Sequence, residues 1–293
     1  SDDNMVTLGT EKDSEVSDES GALGIAVDIG TTTLALSLVG LNSGKVLDTY
    51  TAINRQRALG ADVITRIEAA GNGKADELRK YICEDLLKGI NTLLKDNAVC
   101  EDRLERVCIA GNTTMLHLLR GYPVQSLGVF PFTPVNISLE KITLTEALSA
   151  VNDIPSSLSN VETILLPGNS AFVGADIISG LFSCGFHEND KVCALIDLGT
   201  NGEMAVGNRS SLMVTSTAAG PAFEGGNIKW GVGSIKGAIS SVTIEGDKLS
   251  IRTIGDSDEV TGICGTGVVE ITAELLKAEL IDETGVLDDD YFD

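Results

Sequence analysis

A chain of 293 residues can bury a sizeable core in one large or two moderate lobes, and 43% hydrophobic residues with 4% aromatic, 32 Gly and 6 Pro suit an α/β protein rich in tight turns. Its 21 Lys and Arg against 43 Asp and Glu give a formal charge of −22 without a basic stripe or tail, which argues against nucleic-acid binding. A bound anion would therefore be held by backbone N–H groups, a metal ion or local dipoles rather than by a Lys/Arg cluster.

The six cysteines, Cys83, Cys100, Cys108, Cys184, Cys193 and Cys264, form no C-x-x-C pair, so neither a zinc site nor a disulfide framework is expected. No apolar stretch is long enough to span a membrane and no signal pattern opens the chain, so the expectation is a cytoplasmic protein with no membrane partner. Residues 1–20 carry seven acids against Lys12 and read as an acidic disordered leader or linker. The chain opens on Ser and closes on the acidic stretch Leu287–Asp293, and both ends are expected to continue into something longer.

From Leu23 short apolar runs at Leu23–Asp28, Leu34–Leu41 and Val46–Ile53, parted by Gly30-Thr31-Thr32-Thr33 and Asn42-Ser43-Gly44, predict a three-stranded antiparallel meander. A helix is expected over Ala61–Ala70. A second and clearer one is marked by Leu78, Ile82, Leu86, Ile90 and Leu93. Val107–Ala110 reads as a strand leading through Gly111-Asn112-Thr113-Thr114 into a helix at Met115–Leu119, with Asn112 or Thr113 as N-cap. Ile164–Leu166, Pro167–Ser170 and the apolar run Ala171–Phe182 repeat strand, turn and helix, while residues 123–161 between them read as irregular.

At Lys191 the opening arrangement returns as strands Val192–Asp197, Glu203–Gly207 and Leu212–Ala218. The chain thus contains an internal repeat whose copies are Val27-Asp28-Ile29-Gly30-Thr31-Thr32 and Ile196-Asp197-Leu198-Gly199-Thr200-Asn201. The expected domains are 21–190 and 191–293, one headed by each copy.

One D-x-G-T is a weak signal, because acid followed by Gly also marks ordinary turns. Two copies in matching strand-turn-strand contexts are stronger. Each would place a carboxylate at the end of a buried strand, followed by a turn whose N–H groups and hydroxyls can wrap phosphate oxygens. Nucleoside triphosphate hydrolysis needs such donors, Mg²⁺ to offset charge, and acids that orient metal-bound or attacking water. No G-x-x-x-x-G-K-[ST] occurs and neither turn opens a helix, which disfavours a P-loop or dinucleotide-binding fold.

The two D-x-G-T stretches resemble the phosphate-1 and phosphate-2 motifs of the acetate and sugar kinase, Hsp70 and actin superfamily. Gly60-Ala61-Asp62-Val63-Ile64-Thr65-Arg66-Ile67, Ala110–Met115, Phe172–Asp176, Gly220–Gly225 and Gly262–Gly267 narrow the resemblance to reductive activators of corrinoid proteins, from about Gly24 to the end. The resemblance implies actin-like (ribonuclease H-like) ATPase lobes that return Co(II) corrinoid to Co(I) for methyl transfer in an anaerobic setting. A corrinoid protein and a nucleotide are the implied partners, a second copy of the chain is admitted as another, and ATP and Mg are the implied cofactors. The [2Fe-2S] cluster of the full-length family has no ligands here, since no cysteine precedes Cys83. The superfamily's closing Gly-Gly adenosine motif does not follow Leu280, so the second lobe reads as truncated.

On this reading Asp28 and Asp197 bind Mg²⁺ through water, and Asp197 orients the attacking water. Thr31, Thr32, Thr200 and Asn201 supply phosphate donors, while Gly30, Gly199 and Gly202 serve backbone conformation. Six glycines crowd Gly220–Gly237; Glu224 there is a further candidate acid, with an exposed loop acid as the plain alternative, and Trp230 is either a partner contact or a core anchor. Gly265-Thr266-Gly267 opens the helix Val268–Leu276, whose N-terminus could face ribose or phosphate or be ordinary capping. His117 and His187 read as structural. A small-molecule kinase and a non-catalytic nucleotide-gated binding module are the alternative functions.

Overall fold

The computed structural model describes residues 21–220, 222, 228–246 and 248–287, so the leader expected over 1–20 and Glu224 lie outside the described residues. The chain divides into two compact units, Ser1–Ala194 with Val206–Thr215 and Leu195–Ala205 with Ser216–Asp293.

In the first unit, strands β1 (Leu23–Ile29), β2 (Thr33–Gly40) and β3 (Val46–Ile53) form the expected meander. Alternation decides which side faces the core: Leu34, Leu36 and Leu38 of β2 are fully buried while their neighbours are half-exposed. Parallel to β1 lies β4 (Leu104–Gly111), then β6 (Glu162–Leu165), with the antiparallel β5 (Glu140–Thr143) on the edge, giving the order β3-β2-β1-β4-β6-β5. The segment 123–161 is thus not wholly irregular. Within residues 140–148 the apolar Ile142, Leu144, Ala147 and Leu148 are too few for a pattern, yet pairing with β6 makes Glu140–Thr143 a strand, and the capping box of Thr143 and Glu146 starts a single turn, α4 (Leu144–Ala147).

Helix α1 (Val63–Ala69) starts two residues later than expected, because Asp62 caps it by accepting from the Thr65 amide at 2.8 Å. It is followed by α2 (Ala75–Asp96), whose Leu78, Ile82, Leu86, Ile90 and Leu93 are all buried. Gly89 lets α2 lie against the sheet, since a Cβ there would sit 2.8 Å from Leu36 and 2.9 Å from Tyr50. Asn112 caps α3 (Thr113–Arg120) through the Met115 amide at 3.0 Å, and α5 (Ala175–Ser183) follows β6.

The second repeat folds as β7 (Cys193–Leu198), β8 (Asn201–Asn208) and β9 (Ser211–Ala218), neighbours in that order. Their two-residue connections are those of antiparallel neighbours. β7 corrects one expectation: it is not a buried strand, with Ile196 64% and Leu198 53% exposed. Sequence hydrophobicity shows what a strand can bury, and packing determines whether it does.

The second unit also holds the hairpin β10 (Ala238–Glu245) and β11 (Lys248–Thr253), the short β12 (Gly262–Ile263) parallel to β10, and α6 (Gly265–Lys277). Along β10, β12 pairs only with Ala238 and Ile239. Beyond it, the Val242 and Ile244 amides donate to the Glu270 and Glu274 carboxylates of α6 at 3.1 and 3.0 Å, so the helix covers the open edge of β10.

Candidate phosphate-binding hairpins

Asp28 stands exposed near the end of β1, in register between Ala35 of β2 and Ala110 of β4. The strand ends there and Gly30-Thr31-Thr32 turns the chain into β2, closed by the Gly30 amide donating to the Thr33 carbonyl at 2.9 Å. All three carbonyls of this turn are taken from within the first unit. Asn54 Nδ2 donates to Gly30 O at 2.9 Å, Arg66 Nη2 donates to Thr31 O, and the Asn54 amide donates to Thr32 O at 2.9 Å. The Thr31 hydroxyl is also fixed, accepting from Asn112 Nδ2 at 3.0 Å.

The α3 and α5 N-termini meet at the same end of the sheet. A Cβ on Gly174, the α5 N-cap, would lie 2.5 Å from Asn112 Cα, 2.6 Å from Gly111 O and 2.7 Å from Thr113 N, so only glycine lets the two helix starts touch. Thr113 Oγ1 donates to Ser170 O at 2.6 Å and ties the turn before α5 to the start of α3. The carboxyl ends of parallel strands β1, β4 and β6, flanked by helix starts, form the usual location for an anionic ligand in an open α/β sheet.

Arg66 was given no site role from sequence, where it stood only within the stretch Gly60–Ile67. It is fully buried, donates from Nε to Gly60 O at 2.9 Å and from Nη1 toward Met115 Sδ at 3.0 Å, and has no carboxylate within ion-pair distance among the described residues. Burial pulls its pKa down to about 10, with Asp62 opposing that through space, so it stays a cation at neutral pH. Its place in the stretch Gly60–Ile67 was the available signal.

In the second hairpin the Gly199 amide donates to Asn201 O at 2.9 Å, and the Thr200 carbonyl accepts from the Ala219 and Gly220 amides at 3.2 and 3.0 Å. Asp197 is exposed, Thr200 and Asn201 half-buried, and Gly202 buried. None of Gly30, Gly199 and Gly202 takes a left-handed φ, which corrects the conformational reason expected for them. Gly30 is required for space instead, because a Cβ would sit 2.6 Å from the Thr33 carbonyl, whereas at Gly202 a Cβ would meet Thr217 at 3.5 Å and Ala219 at 3.7 Å, both ordinary contacts.

Glu203 also went unmarked. Placing Asp197 on Asp28 puts Glu203 on the core residue Leu34, so a buried acid stands where the first copy has a buried hydrophobe. It accepts from Ser216 Oγ at 3.0 Å; burial, and then the neighbouring Asp197, push its carboxyl upward. Gly265, Thr266 and Gly267 start α6 against β10, where a Cβ on Gly267 would fall 2.2 Å from Ile239 O. Close helix packing thus accounts for Gly267. Trp230 is 68% exposed and is no core anchor.

Each hairpin taken by itself offers an exposed Asp carboxylate and Thr hydroxyls, hard oxygen donors of the kind that suit hydrated Mg²⁺, an oxygen-seeking ion that keeps several waters. Among the described residues no group of three or more His, Cys, Asp or Glu is placed to hold a metal ion, and all six cysteines are free thiols.

A meander-headed α/β fold with duplicated D-x-G-T hairpins is that of the actin-like ASKHA class. The RACo middle region matches residues 23–189, and the C-terminal domain of RACo, described as the ASKHA domain, matches residues 191–292. The chain belongs to the RACo family. It is 35% identical over 270 residues to the corrinoid activation enzyme RamQ of Eubacterium limosum, covering 91% of this chain and 44% of that protein. It is 26% identical over 284 residues to the [Co(II) methylated amine-specific corrinoid protein] reductase of Methanosarcina barkeri, covering 89% and 52%. The structure of a reductive activator for corrinoid,iron-sulfur protein superposes with a TM-score of 0.83 and 37% identity over 92% of this chain and 42% of that one. The chain therefore spans about half the length of these relatives.

Proposed function

We propose that this chain is the ATP-binding portion of a protein that reductively reactivates corrinoid proteins, with a corrinoid protein as its macromolecular partner. The reaction is the one-electron reduction of Co(II) to Co(I). The electron comes from a reductant through a carrier outside these residues, and ATP is hydrolysed by water to ADP and phosphate. The observation that carries the reading is the match at a TM-score of 0.83 to a reductive activator across 92% of the chain.

In residue terms, Asp28 with Gly30, Thr31 and Thr32, and Asp197 with Gly199, Thr200, Asn201 and Gly202, handle phosphates. The two carboxylates hold Mg²⁺ through its waters, and the ion would supply charge neutralisation at the phosphates. Asp197 orients the attacking water. Gly265, Thr266, Gly267 and Glu224 are secondary candidates. Inward-turned carbonyls at Gly30–Thr32 support the phosphate assignment, since fixing them inward fixes the orientation of the intervening N–H groups.

In the complete protein, recovery of Co(I) absorbance by an oxidised corrinoid partner should require both reductant and Mg-ATP, and Asp197→Asn should abolish the ATP stimulation. Stimulation undiminished in that variant would remove Asp197 from the role given to it.

A further inference from the structure

We infer that Arg66 is a positioning residue for the first phosphate hairpin, its buried guanidinium clamping the Thr31 carbonyl inward and lending the turn a positive charge from behind. The inference rests on the phosphate reading of that hairpin and deepens it.

A buried arginine kept for the fold is normally neutralised by a carboxylate, because a charge taken out of water needs compensation. Here the partners are the carbonyls of Gly60 and Thr31, the Gln56 amide oxygen at 3.4 Å and the Met115 thioether, while Asp62 acts only through space. Such partners satisfy N–H groups but leave the charge standing. That charge lies directly behind the turn, so an anion bound on the turn's other side would compensate it. In a chain of net charge −22 without a basic cluster, one buried cation behind the hairpin provides the local positive potential that an anionic ligand needs.

The planar fork matters as well, since a single guanidinium bridges two carbonyls that an ammonium could not hold together in the same geometry. The preceding residues serve this placement. A Cβ on Gly60 would lie 2.6 Å from the Arg66 amide, so glycine permits the close approach that brings its carbonyl to Nε. Asp62 caps the turn that carries Arg66. Gly60, Asp62 and Arg66 of the stretch Gly60–Ile67 thus serve one task.

Calorimetric titration of this chain with Mg-ATP and, separately, with magnesium tripolyphosphate tests the inference, alongside Arg66→Lys and Arg66→Met and the thermal midpoint of each. Wild type should bind both probes. Arg66→Lys should remain folded and bind both roughly tenfold more weakly, the change expected from one lost charge-assisted contact. The Gly30 and Asn54 amides, which close the turn on the Thr33 and Thr32 carbonyls, should exchange faster in Arg66→Lys while those within β1 do not change. Equal affinity of wild type and Arg66→Lys for both probes overturns the role of Arg66 and leaves the phosphate reading intact. Absence of binding by wild type overturns that reading and the role with it. Should neither variant fold, hydrogen exchange of ligand-free wild type decides, because a preset turn requires the Gly30 and Asn54 amides, which donate to the Thr33 and Thr32 carbonyls, to be protected, and open-loop rates there would refute it.

Discussion

His117 sits 1% exposed with Nδ1 2.8 Å from Thr113 O and Nε2 accepting from the Val135 amide at 3.0 Å, an arrangement that requires the neutral ring. Burial depresses its pKa below 6.5, only partly opposed by Thr113 and Glu140. The unfolded chain therefore takes up this proton first as pH falls, so the stability due to His117 is complete above 6.5 and is lost as pH drops toward the folded value. Denaturant midpoints measured from neutral to acid pH should show a smaller fall for His117→Gln than for wild type; an unchanged slope would clear the residue. Glu203 carries the opposite sign. Its pKa is raised in the fold, so it costs stability as pH rises above its ordinary 4.5, and Glu203→Gln, which keeps an acceptor for Ser216, should be the more stable protein at neutral pH and lose that advantage in acid. The structural part of His117 was legible in its apolar run, but neither pH effect was, because His117 owes its shift to burial and Glu203 to burial and then to Asp197.

At the level of elements, the contact between the starts of α3 and α5 depends on Gly174, and Gly174→Ala should cost about 1–3 kcal/mol in chemical denaturation by forcing backbone apart. Loss of less than experimental error would mean that the α5 start can shift freely. The α6 edge cover makes a second case. Glu270 accepts from both Ser241 Oγ at 2.8 Å and Val242 N, so Glu270→Ala should destabilise by about 1–3 kcal/mol, the range for leaving a polar group unpartnered. Strand and helix positions were largely legible, because alternation in β2 and the 3–4 spacing of α2 are burial patterns written in side chains. The β5 strand was not, since four residues with one buried neighbour strand carry no period of their own.

For the molecule as a whole, no described helix is long and apolar enough to cross a membrane. A ligand that binds the folded chain and not the unfolded one must raise its thermal midpoint, so Mg-ATP at about 100 times its dissociation constant should add about 2.7 kcal/mol to stability. A midpoint indifferent to saturating Mg-ATP would argue against nucleotide binding by this chain. By itself the sequence determined the duplication, the two Asp-led hairpins and the α/β class, because these rest on local period and on residue types that turns demand. Only the tertiary structure decided that Gly30 is needed for space, that β7 stays exposed, that Glu203 is buried beside Asp197 and that Arg66 stands behind Thr31. Those are matters of three-dimensional contact and burial, for Arg66 and Thr31 between residues 35 apart, and side-chain periodicity carries no record of them.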